Sequence, residues 1–265
     1  MVAIVGDPIG DKIRLHGRYD QINLQAIAAL LLPHLDCGTR VCLDVGANIG
    51  NHAIFFSRFF ERVIAFEPNP LALKLLDLNL WLNGADNVAV EPVGLSDGKG
   101  TERLSVCRHN LGASRLKHLV EAGSTFADSI VEDVEVDLVL GDAVVAPEAP
   151  VGLIKIDVEG LESQALCGLT QTIERHRPAI VIEQLAAAFD DTAHRSPAAA
   201  FLADLGYRPF ELRRIHRSRF KVLDDLMTIL AGNIRHVLVP VTRFERRDYP
   251  SLWFLTDDIV ARLGG

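Results

Sequence analysis

The chain has 265 residues, 49% of them hydrophobic, and a formal net charge of −8. That length suits one large α/β domain with additions and is short for two independent ones, and so apolar a composition excludes wholesale disorder. The acidic balance argues against nucleic acid as the main partner, and Cys37, Cys42, Cys107 and Cys167 form no C-x-x-C, which suits reduced cytosolic thiols better than a disulfide or metal framework.

The N-terminus lacks a long apolar core, so no signal peptide is expected. Gln21 to Leu32 is apolar but too short to span a bilayer. A cytoplasmic protein with no membrane partner is expected. Residues 1–38 read as a helical preamble in which Arg18 and Tyr19 precede a helix from Gln21 to Leu32. The main domain is expected over 39–265, with a variable C-terminal part from about residue 213.

Val41 to Val45 is a short apolar run, as in a parallel strand covered on both faces. It carries Asp44 and runs into Gly46-Ala47-Asn48-Ile49-Gly50. Gly46 permits a sharp turn. Gly50 allows close packing or close approach of a ligand where a helix begins at Asn51. Free N–H groups at such a helix start favour an acceptor. A dinucleotide fingerprint, G-x-G-x-x-G, is not met, because Asn48 replaces the second glycine. Asp44 would repel a pyrophosphate, whereas a ligand bearing an amine and a sulfonium would welcome it.

Arg62 to Phe66 reads as a second buried strand, ending at Glu67 with Pro68 and Pro70 behind it. An acid at that place is suited to ribose hydroxyls in either kind of nucleotide site. A helix follows from Pro70 to Trp81, then a strand from Val88 to Val93. Gly94, Leu95 and Ser96 stand at its end, and Thr101 to Val106 returns as a strand. Arg108 to Ser114, containing His109 and Asn110, reads equally as a surface loop or a substrate-side loop. Val131 to Leu140 alternates as an edge strand does. Leu153-Ile154-Lys155-Ile156 leads into Asp157-Val158-Glu159-Gly160, and Ala179 to Ile182 leads into Glu183. Thus Asp44, Glu67, Asp157 and Glu183 all end apolar strands, and in an open parallel sheet such ends share the ligand-binding edge. A helix is predicted over Ser196 to Leu205 and a last strand within Ser251 to Asp257; 211–247 gives no clear pattern. The basic run Arg213, Arg214, Arg217, Arg219 and Lys221 reads as a solvated loop or as a contact for an anionic substrate.

Three stretches, Leu43 to Gly50, Phe66 to Pro70 and Lys155 to Gly160 with Glu162 and Gly168, resemble the FkbM family of S-adenosylmethionine-dependent methyltransferases. The resemblance covers about residues 39 to 212. It implies an α/β, Rossmann-like class I methyltransferase fold, with a mostly parallel seven-stranded sheet and helices on both faces. It also implies methyl transfer to a hydroxyl of a sugar, polyketide or other small metabolite. Mapped here, Asp44, Gly46 and Asn48 surround the methionine part, Glu67 holds the ribose and Gly94 to Ser96 flank the adenine. Tyr19, Gly50, Pro68 and Asp157 complete the candidate cofactor contacts. Asp157 is the candidate base, with Glu159 as its partner or alternate and His109 as a second candidate. Asn110, Ser114 and Glu183 are candidate substrate contacts. Asp157 and Glu159 could instead hold a divalent cation, but no histidine cluster supports a transition-metal site. A nucleotide-dependent oxidoreductase and a non-catalytic adenosyl-binding protein are the rival readings. The oligomeric state is left open, a homodimer included.

Overall fold

The computed structural model describes residues 1–107, 110–120, 132–189, 195–214 and 236–264. The chain begins with helices α1 (Pro8–His16) and α2 (Gln21–Leu30), followed by strand β1 (Val41–Val45), α3 (Asn51–Phe56), β2 (Arg62–Phe66), α4 (Pro70–Asn83) and β3 (Val88–Glu91). Four strands come next, β4 (Gly94–Leu95), β5 (Gly100–Val106), β6 (Arg115–Leu116) and β7 (Glu132–Val139). Then come β8 (Val151–Ile156), α5 (Glu162–Cys167), α6 (Thr170–His176), β9 (Ala179–Gln184), α7 (Pro197–Asp204), β10 (Arg208–Arg214), β11 (His236–Pro240), β12 (Tyr249–Leu255) and α8 (Asp257–Leu263).

The main sheet has eight strands in the order β11-β10-β12-β9-β8-β1-β2-β3. The five from β9 to β3 are parallel, and β12, β10 and β11 add antiparallel pairs at one side. The expected seven-stranded sheet is therefore one strand short of what forms, because β11 pairs with β10 from a stretch whose sequence gives no clear pattern. Val131 to Leu140 also differs from expectation. Its strand, β7, lies inside a separate four-stranded sheet, β4-β7-β5-β6, and is flanked on both sides.

Alternation along the central strands divides the core. Cys42, Val63, Ala65 and Leu153 face α2, α3 and α4, packing with Leu24, Phe56 and Leu76. Leu43, Val45, Ile64 and Ile154 face the other way, onto Leu166, Leu169 and Ile173 of α5 and α6. Burying both faces of each strand explains why these runs are almost wholly apolar. Successive strands run outward from β1 to β3 in one direction and from β8 to β9 in the other. The switch point between β1 and β8 is where such sheets open a crevice at their strand C-termini.

The preamble is built onto this crevice. Asp7 caps α1 through Ile9 N–H (2.8 Å) and Gly10 N–H (3.0 Å), Pro8 sits in its first turn, and Gly17 ends it in a left-handed conformation. Ile13 of α1 packs with Ile49, Ala72 and Leu111. Among the described residues, no helix is long and apolar enough to cross a membrane.

Candidate active site

A cavity of about 290 Å³ opens at the C-terminal ends of β1, β2, β8 and β9. Gly46 makes its floor feasible. Its φ is +77°, and a Cβ there would lie 1.9 Å from the carbonyl oxygen of Asp157, so only glycine lets the first loop pass the end of β8. Asn48 also adopts a positive φ, of 51°. Glu67 clamps this turn to the next one, accepting Asn48 N–H through Oε2 and Asn69 N–H through Oε1, both at 2.8 Å. Burial pushes the Glu67 carboxyl up to about 7 against the pull of those two N–H groups.

Lys155 stands beneath the crevice, 6% exposed. Its ammonium donates to the Gly46 carbonyl at 2.9 Å and lies 3.1 Å from Asp44 Oδ1 and 3.8 Å from Asp157 Oδ2. Burial works against its charge; Asp44, Asp157 and Glu183 outweigh it, so its pKa lies above the ordinary lysine value. Three carboxyls, on Asp157, Glu159 and Glu183, line the same end of the cavity. Burial, with Asp157 nearby, raises Glu183 well above the usual carboxylate range. Burial also raises Glu159 to about 7, opposed by Arg115, whose Nη2 is 3.2 Å from Glu159 Oε2. Tyr19 closes this end. Desolvation, then the acids Glu183, Asp157 and Asp20, hold its hydroxyl protonated far above neutrality.

Most of the expected contacts converge here. Tyr19, Gly46, Asn48, Glu67, Pro68, Gly94, Leu95, Asn110, Ser114, Asp157, Glu159 and Glu183 all line the cavity. Asp44, Gly50 and Ser96 do not. Asp44 is fully buried under the turn, facing Lys155 rather than the cavity. Gly50 is explained by its backbone, which adopts a φ of +91°, with Leu76 Cδ1 2.6 Å from where a Cβ would stand. Ser96 turns away, its N–H donating to Val139 O at 2.9 Å and its Oγ to Asp97 Oδ1 at 3.3 Å. His109 lies outside the described residues, as do Arg217, Arg219 and Lys221 of the basic run. Arg213 pairs with Glu211, and Arg247 pairs with the same carboxylate. Among the described residues, no group of three or more His, Cys, Asp or Glu side chains is arranged to hold a metal ion.

Sequence reasoning passed over Lys155, the α1 residues Ile9 and Lys12, and the pair formed by His52 Nε2 and Asp20 Oδ2 at 3.3 Å. Lys155 was detectable as a lone charge inside an apolar run. Helix α1 was detectable from Asp7-Pro8 at one end and Gly17 at the other.

The sequence profile of the methyltransferase FkbM domain matches residues 44–209. The chain belongs to the FkbM methyltransferase family. Methyltransferase sdnD of Sordaria araneosa is 28% identical over 192 residues, 62% of this chain and 72% of that protein. Among solved structures, methyltransferase FkbM from Methylobacillus flagellatus KT has a TM-score of 0.45 and 18% identity, over 82% of this chain and 44% of that one. The chain therefore spans less than half of the Methylobacillus protein. An S-adenosylmethionine-dependent O-methyltransferase from Thermotoga maritima has a TM-score of 0.46 and 13% identity, over 93% and 70%. By its family, the architecture is that of the class I methyltransferases.

The cofactor of this FkbM methyltransferase is S-adenosylmethionine, and one atom of the cavity tests the fit. Asn48 Oδ1 is buried with no hydrogen-bond partner. A buried acceptor calls for a donor, and the cofactor carries one in its ammonium group.

Proposed function

We propose that this protein methylates a hydroxyl group of a small molecule. The observation that carries the reading is Asp157, a partly exposed carboxylate at the tip of β8, in the cavity wall and beside the Lys155 ammonium. Asn48 and the Gly46 turn would hold the methionine part of the cofactor. Glu67, which keeps lone pairs beyond its two backbone bonds, would accept from the ribose hydroxyls. Gly94, Leu95 and Pro68 would flank the adenine.

When bound, the cofactor supplies an electrophilic methyl group on sulfur. The protein's part is then to align a nucleophile and exclude water. A neutral hydroxyl is a poor nucleophile, and Asp157 is placed to take its proton as the new bond forms. Glu183, whose pKa burial and the nearby Asp157 raise, would in its protonated form donate a hydrogen bond that orients the acceptor oxygen. Glu159 is restrained by Arg115 and serves as wall rather than base. Tyr19 and Leu111 cover the site against water. The acidic balance of the chain favours a small molecule over RNA as acceptor.

The test is transfer of a tritiated methyl group from S-adenosylmethionine to an extract, with the labelled product then identified. Label on oxygen is expected. Asp157→Asn should keep S-adenosylhomocysteine binding and lose about 10²–10⁴-fold of the transfer rate. Label on nitrogen or carbon would overturn the hydroxyl assignment.

A further inference from the structure

The cofactor cavity, about 290 Å³, lies at the small end of the range for a single small-molecule site, roughly 300–1,000 Å³. An adenosyl cofactor would take up most of such a space, so the body of the acceptor, beyond its reacting hydroxyl, needs room beside it. That room must open onto the carboxyls at the ends of β8 and β9, where the transferred methyl group has to arrive.

Three other hollows are poorly placed. One, between His34, Arg177 and Asp257, sits at the opposite end of the strands, beside Arg40 before β1 and Pro178 before β9. Another, around Leu32 and Gly38, lies ahead of β1 at that same end. A third touches Asn69 and Lys74, on the Glu67 side, away from Asp157.

A groove of about 490 Å³ comes nearest to the requirement: Asp157 and Glu183 are not in its wall, but Glu159 and Gln184 beside them are. It shares two wall residues with the cofactor cavity, Arg115 and Glu159, and these are the ion pair at 3.2 Å. The pair is thus a partition between the two spaces, next to Asp157. The far side of the groove is apolar: Leu119, Val120, Leu185, Ala187, Ala188 and Pro197. The polar wall residues are largely committed. Gln184 is 1% exposed and its Oε1 accepts the Ser196 hydroxyl at 2.7 Å. Glu162 is 6% exposed and accepts Gly160 N–H at 2.8 Å. A ligand dense in hydroxyls would lose its water here and find few partners in return. A ligand with an uncharged hydrocarbon body would lose nothing and gain burial.

The geometry points to this groove as the acceptor subsite, taking the uncharged, apolar ring system of a hydroxylated molecule whose hydroxyl reaches Asp157 past the Arg115–Glu159 partition. This rests on the reading of the cavity as a hydroxyl methyltransferase site and adds the class of acceptor. The small side chains at 187 and 188 leave width for fused rings. The exposed Leu185 extends the same apolar strip outward.

The experiment uses the full chain loaded with S-adenosylhomocysteine and two probes, borneol and methyl α-glucoside, followed by saturation-transfer NMR. Ala188→Trp fills the groove from an accessible position, and Leu185→Asp makes its rim polar; neither residue belongs to the cofactor cavity. Borneol is expected to bind, and about tenfold more weakly in each variant, a difference of about 1.4 kcal/mol. Both variants should keep the wild-type affinity for S-adenosylhomocysteine and the wild-type melting temperature. Borneol binding untouched by both variants, or absent from the wild type, would overturn the groove as acceptor site. Groove-dependent binding of methyl α-glucoside in preference to borneol would overturn the acceptor class. Failure of S-adenosylhomocysteine itself to bind would strike the methyltransferase reading instead, so the two failures are distinguishable.

Discussion

Lys155 is the residue on which the others depend. Its one ammonium meets a main-chain carbonyl of the cradle, the buried Asp44 and the candidate base Asp157. A buried ion pair adds little net stability over an apolar pair of the same shape, but removing one partner leaves a charge stranded. Lys155→Met should therefore cost about 3–5 kcal/mol in urea unfolding, and Asp44→Asn added to it should recover much of that loss. A double variant no more stable than Lys155→Met alone would mean that Asp44 is not the stranded charge. Glu67 gives a pH-dependent counterpart. On the proposed reading, ribose hydroxyls would donate to the ionised carboxylate, yet burial holds this group near 7. The folded pKa is raised, so the ionised, binding-competent form is lost as pH falls through about 7. Calorimetry should show S-adenosylhomocysteine binding about tenfold weaker at pH 6 than at pH 8, following the protonated fraction, and Glu67→Gln should bind weakly with that pH dependence abolished. For the same reason, stability without ligand should fall as pH rises from the ordinary glutamate value towards 7.

At the level of elements, Asp7 does two jobs with one carboxylate. Oδ1 caps α1, and Oδ2 accepts the N–H of Leu111 at 2.8 Å. The second bond ties the preamble to the loop containing Asn110 and Ser114. Asp7→Ala should lose about 0.5–2 kcal/mol for the cap and a further ~1–3 kcal/mol for the buried Leu111 N–H, read by urea unfolding, and should weaken S-adenosylhomocysteine binding through the displaced loop. A loss confined to the cap range with unchanged affinity would argue that the loop does not depend on Asp7. This element also marks what the sequence made legible. β1, β2, β8 and β9 could be read because strands buried on both faces leave nearly unbroken apolar runs, and the acids Glu67, Asp157 and Glu183 at the ends of β2, β8 and β9 announce the ligand edge. The second sheet could not be read, because β5 and β7 show strand patterns without showing that they pair across at least twenty-five intervening residues, the number between Val106 and Glu132. The role of helix α1, though not its ends, was hidden for a different reason. The helix is weakly apolar, and its importance comes from what Asp7 and Ile13 touch, a property of tertiary packing rather than of spacing. Asp44 illustrates the same limit, since strand position fixed its end of the sheet but not which way its carboxylate turns.

In the whole molecule, the cavity is enclosed by segments that are remote in sequence but directly bonded. Asn51 exchanges hydrogen bonds with the Tyr19 main chain, accepting its N–H at 3.2 Å and donating to its carbonyl at 3.0 Å. His52 meets Asp20, Ile13 packs on Ile49 and Leu111, and Arg115 meets Glu159. The first twenty residues and the 110–116 segment thus share supports with the cradle, and a ligand that contacts the cradle and Tyr19 should stabilise them together. Binding adds RT ln(1 + [L]/Kd), about 2.7 kcal/mol at a hundredfold excess over Kd, which slows exchange about a hundredfold for amides that open only when the ligand leaves. Hydrogen exchange with S-adenosylhomocysteine should therefore protect 8–19, 46–52 and 110–116 to a similar degree. In Asp7→Ala, protection should fall in the first and third segments and persist in the second. Protection restricted to 46–52 in the wild type would show that the cover moves independently of the cradle.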